Sequence, residues 1–163
     1  MRISEHWSEL DEALHHEILE TSYLHDKALY RRLNQEMAKG LRKRPKQLLE
    51  LPRKERHQGY QPLLAMPIYA ILTQNLCINW LGKNRTSLLV DFLDALGISH
   101  DGNGCAEQFP GEVKDSALKK AMTSVVKKHG ENAAIFYLRI FPDISGIDWD
   151  SYDKVLEEVT SHA

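Results

Sequence analysis

Glu12, His15 and His16 crowd the first stretch of the chain, and Glu12-Ala-Leu-His15 has the E-x-x-H spacing. On a helix that spacing sets a carboxylate and an imidazole on adjoining turns of one side. Helical bundles that hold two metal ions draw such a pair from each of two helices, with a glutamate from each of two more. Glu9 and Glu20 enlarge the cluster, but there is no second E-x-x-H, so another copy of the chain would have to supply it. Glu12, His15 and His16 are therefore the candidate metal ligands of a metal-dependent enzyme or sensor. The competing account is a solvated acidic helix face on which two histidines have no ligand role.

The densest chemical signal is cationic. Arg31, Arg32, Lys39, Arg42, Lys43, Arg44, Lys46, Arg53, Lys54 and Arg56 fall within 26 residues, flanked by Tyr30 and Tyr60. Phosphate oxygens are held by long cationic side chains, and arginine forks onto two of them. Arg42, Lys43, Arg44, Arg53, Lys54 and Arg56 are thus candidates for contact with nucleic acid or an acidic partner, although no helix-turn-helix signature accompanies them. Charge is bipolar along the chain. Residues 1–30 carry a net −5, residues 31–60 a net +7, residues 61–100 balance and residues 101–163 carry −4, for a formal total of −2. This pattern lets the basic block answer acidic segments of its own chain or of a second copy, while the acidic remainder repels a long duplex.

Other chemistry is weaker. Asp101 and Glu112 sit at the first and twelfth places of a calcium-like loop, but the sixth place is Ala106 where glycine is needed and the fifth is Cys105, a poor ligand for a hard cation. A structured turn in which His100 and Asp101 cap neighbouring backbone fits these residues better. Cys105 with His100 or His129 offers a thiol and a base at a spacing that specifies no geometry. The chain holds no G-x-S-x-G, P-loop, G-x-G-x-x-G or H-E-x-x-H pattern, and no cofactor is implied. Two cysteines are too few for a disulfide scaffold. With no apolar leader after Met1, the expectation is a cytoplasmic protein with both thiols free, Cys77 in the core and Cys105 accessible.

The elements that must position these groups read as helices throughout. Trp7, Leu10, Leu14, Ile18 and Thr21 recur at three- and four-residue spacing, and the stripe runs on through Leu24, Ala28, Leu29, Leu33 and Met37 to Gly40. One long helix is expected, or two if Ser22 caps a second. Lys46 to Leu51 suggests a short turn, and residues 52–62, polar with Gly59 and two prolines, suggest a connecting loop. Residues 68–81 are apolar on nearly every side but interrupted by Thr73, Gln74, Asn75 and Asn79, which marks a core helix rather than a membrane span. Trp80 within it should be buried with its indole N–H paired. Further helices are expected after Thr86 or Ser87, from Asp115 to Gly130, from Ala133 to a stop at Pro142, and from a cap at Asp148 to the end. No stretch alternates as a strand does. The expected fold is all-α: a single domain over residues 1–163, a bundle of about five to seven helices with one buried central helix.

From Asp91-Phe92-Leu93-Asp94-Ala95-Leu96-Gly97 through Ile98-Ser99-His100-Asp101-Gly102-Asn103-Gly104 the chain resembles an uncharacterised bacterial family of small helical proteins. The likeness extends over the lysine-bearing helix and the Ile135 to Phe141 segment, covering the C-terminal half. It implies a helical fold and a bacterial origin, and no activity. Absent catalytic signatures, bipolar charge and a long amphipathic first helix favour a non-catalytic helical interaction module that self-associates. Nucleic-acid binding through residues 31–56 is the alternative, and metal chemistry on the first helix the second.

Overall fold

Asp11 and Asp26 break the expected long N-terminal helix into three. In the computed structural model, which describes residues 2–162, α1 (Ile3–Ser8), α2 (Glu12–His25) and α3 (Lys27–Gly40) replace it. The Asp11 carboxylate accepts the Leu14 N–H at 2.7 Å and that of Asp26 accepts the Leu29 N–H at 2.9 Å. Each is an N-cap that satisfies an otherwise orphaned donor. The break thus falls at Asp26, not Ser22, whose hydroxyl instead donates to the Leu19 carbonyl inside α2.

The fold is all-α. No strand and ten helices form among the described residues, more than five to seven because of these breaks and two added helices, one of them over the segment expected to be a loop. α4 (Pro45–Leu49) follows a turn in which Arg42 adopts φ +53°, and α5 (Arg53–Leu64) occupies the segment expected to be a loop. Pro52 precedes its first turn, where a missing N–H costs nothing, and Pro62 lies in its last. His57, Tyr60 and Leu64 form its buried stripe. A 3-10 turn, Pro67–Tyr69, leads into α6 (Ala70–Asn84).

The chain divides at Asn84–Arg85 into two compact units. In the first, α6 is central, packed chiefly on α2 and also on α1, α3 and α5. Its inward face carries Leu72, Leu76, Cys77, Trp80 and Leu81. Trp80 is fully buried, and its indole N–H donates to Glu17 at 2.8 Å. The opposite face of α6 is exposed, so this helix is a core element on one side only.

The second unit comprises α7 (Thr86–Ala95), α8 (Asp115–His129), α9 (Glu131–Ser145) and α10 (Tyr152–Thr160). Pro142 lies inside α9 rather than ending it, and Ser151, not Asp148, precedes the last helix. Phe92, Tyr137, Phe141, Trp149 and Tyr152 meet ring to ring in its core. The loop between α7 and α8 is the structured turn expected: the Asp101 carboxylate accepts the N–H groups of Asn103 and Cys105, and His100 Nδ1 accepts that of Gly102. Gly104 has φ +87° and lies against Leu89, where any Cβ would collide. No single helix among the described residues is long and apolar enough to cross a membrane; α5 with Pro67–Asn84 passes that test only as a pair bent by 109°.

Candidate functional site

The chemistry expected on the first helix is regrouped by the phase of α2. Glu12, His16 and Glu20 recur every four residues and share one side, whereas His15 is turned about 100° away. His15 is buried against Trp7, its Nε2 2.7 Å from the Trp7 carbonyl, and its Nδ1 has no hydrogen-bond partner. Glu12 accepts a hydrogen bond from Gln58 of α5. The E-x-x-H pair therefore does not converge, and Glu12 and His15 are not brought together with His16.

His16 meets His57 instead. Their Nδ1 atoms are 3.0 Å apart, and the other nitrogen of His57, Nε2, is 2.9 Å from the Tyr30 hydroxyl. His16 Nε2 lies 3.9 Å from a Glu20 carboxylate oxygen. One donor atom from each of His16, Glu20 and His57 can be chosen so that all three lie within 4.8 Å of one another. The cluster joins α2, α3 and α5, with His57 fully buried and His16 and Glu20 half-buried. Desolvation, reinforced by the charges of His16, Arg56 and Arg53, pushes His57 down to about 3, so its imidazole is neutral at pH 7. Burial raises Tyr30 and Tyr60 in the same way, which keeps both phenols protonated.

Two of the six candidate cations are consumed here. Arg53 grips Glu20 through Nε at 2.8 Å and Nη2 at 2.7 Å, and its guanidinium stacks 3.8 Å above the Tyr23 ring. Arg56 donates to the Leu49 and Leu51 carbonyls and, at 3.3 Å, to the Tyr30 hydroxyl. They tie α5 to its neighbours. Arg42, Lys43, Arg44 and Lys54 are exposed. His57 itself was invisible to sequence reasoning because residues 52–62 look like a loop; the buried spacing of His57, Tyr60 and Leu64 was the signal available.

A second surface lies on the outward side of α6 and the turn before it. Met66, Ile68, Ile71 and Ile78 are exposed, Ile68 to 80%. Ile71 and Ile78 are seven residues apart and so share one stripe. From His57 to Gly82 the chain contains no Asp, Glu, Lys or Arg. Cys77 beneath this stripe is buried and Cys105 in the second unit is exposed, both unpaired.

Fold and site together define a small all-α protein with a His–His–carboxylate cluster set between helices of its first unit. No protein-family model, curated protein or solved structure matches the chain.

Proposed function

We propose that this protein is a non-catalytic helical interaction module that pairs with a second copy of itself through the ridge Met66–Ile68–Ile71–Ile78. The observation that carries this reading is that four of the seven large apolar side chains exposed on the first unit, Met66, Ile68, Ile71 and Ile78, fall on α6 and the short segment before it. Contiguous apolar surface on a folded domain marks an interaction site. The lack of charge over residues 57–82 selects the partner. An acidic or basic partner finds nothing to pair with, whereas a two-fold related copy meets the same surface with no like-charge repulsion. The free thiols support a reducing, cytoplasmic setting for the module.

Light scattering on the purified chain tests this. The expected mass is that of two chains, unaffected by salt because the ridge is uncharged. The double substitution Ile71→Lys and Ile78→Lys should give a monomer of unchanged helicity. A monomeric wild type at tens of micromolar, or a dimer indifferent to both lysines, overturns the reading.

Nucleic-acid binding through the basic segment 31–56 is the competing reading, and it rests on four of the six candidate cations, Arg42, Lys43, Arg44 and Lys54. For four phosphate contacts the slope of log affinity against log salt is roughly −3.6 on duplex DNA. Arg42→Ala with Arg44→Ala would lower it by about two. The same double variant leaves the mass unchanged if the ridge holds the dimer.

A further inference from the structure

We propose that His16, Glu20 and His57 form a binding site for one divalent transition ion of the zinc class, with Tyr30 orienting His57 from behind. The grouping is independent of the self-association reading, because all three donors come from a single chain. Donors around a tetrahedral ion with bonds of about 2.0–2.1 Å lie about 3.3 Å apart. The 3.0 Å between the two Nδ1 atoms is already close to one such edge. The half-buried Glu20 carboxylate has an oxygen within 4.8 Å of a donor on each ring, and rotation of its side chain closes the remaining edges.

The surroundings favour an ion over a mere histidine pair. Two ring nitrogens facing each other satisfy both only when one donates and the other accepts. A cation between them lets both present lone pairs. Metal-bound imidazoles almost always give their other N–H to a fixed acceptor, which sets the tautomer. Tyr30 supplies that acceptor at 2.9 Å from His57 Nε2, and its oxygen has a lone pair left for Arg56. Two imidazoles and a carboxylate suit zinc, nickel or ferrous iron rather than calcium or magnesium, and three protein donors leave a position for water.

Arg53 competes with the ion for Glu20 by holding both carboxylate oxygens. This makes the site adjustable, and it gives a test that a purely structural histidine pair would not pass. Tag-free protein is stripped with chelator and titrated with Zn²⁺ by calorimetry, with Co²⁺ absorption as a second probe. One ion per chain is expected. His16→Gln and Glu20→Gln should each abolish that binding while keeping the helical signal. Tyr30→Phe should weaken it tenfold or more, and Arg53→Gln should tighten it by freeing Glu20. Should His57→Gln fail to fold, His16→Gln decides the matter, since that ring is half-buried. Absence of saturable binding in the wild type, or equal binding in His16→Gln, overturns the proposal, as does weaker binding in Arg53→Gln.

Discussion

Arg53 and Lys54 are neighbours of identical formal charge with opposite duties. Arg53 spans Glu20 and the Tyr23 ring, so Arg53→Ala removes a two-point ion pair and a stacking contact. We expect a loss of about 1 kcal/mol, held down by the partial exposure of the pair. Lys54→Ala, at an exposed position, should change stability by less than about 0.5 kcal/mol. Urea titration of the two variants separates them. Trp80 sits at the other extreme. Trp80→Ala opens a cavity in the middle of the first unit and strips Glu17 of its indole donor, for an expected cost of about 3–5 kcal/mol. An unchanged melting temperature in that variant would contradict its place in the core. These residue roles differ in legibility. The burial of Trp80 follows from the apolar run around it, whereas the duty of Arg53 depends on which helix face it meets.

At the scale of elements, short side chains decide where helices stop. Asp26 divides α2 from α3 by capping the second, and Asp26→Ala should cost about 1 kcal/mol in chemical denaturation. The all-α class was readable from three- and four-residue periodicity, and the helix from Asp115 was readable to both ends, whereas the two after it were readable in place but not in their bounds. The breaks at Asp11 and Asp26 were not, because the apolar stripe runs through both and a capping aspartate resembles a surface one. The helix α5 was hidden for the opposite reason: Pro52, Gly59 and Pro62 carry turn chemistry, yet Pro52 stands just before the first turn, where its missing N–H costs nothing, and Pro62 in the last turn forfeits a single helical hydrogen bond. Losing α5 meant losing His57, and with it the point on which the cluster turns. His16 and Glu20 were already grouped in the sequence, but their partner lies 41 residues from His16. The exposed side of α6 was likewise illegible, since an apolar helix looks the same whether its outer face meets protein or solvent.

For the molecule as a whole, acid directly probes the carboxylates that folding holds ionised. Lys128 at 2.8 Å, with His129 at 2.6 Å, holds the Asp91 carboxyl below the usual carboxylate range. Backbone N–H groups do the same for Asp101, and Lys119 for Glu158. A carboxylate depressed on folding adds stability that is complete above its unfolded pKa and is lost as pH falls through the folded value. Stability of the second unit should therefore decline as pH drops below about 4. Asp91→Asn should start lower and lose less over that range, and a wild type equally stable at pH 5 and pH 2.5 would contradict this.

Cys77 lies on the inward face of α6, where burial pushes its thiol far up; Cys105 stands in the loop closed by Asp101. The native chain thus carries a single addressable point for a dye or spin label, placed without altering any residue. In a two-fold pair the labels would report one distance between copies. A head-to-tail chain of copies would instead give a spread of distances, so the label distinguishes a closed pair from an open polymer.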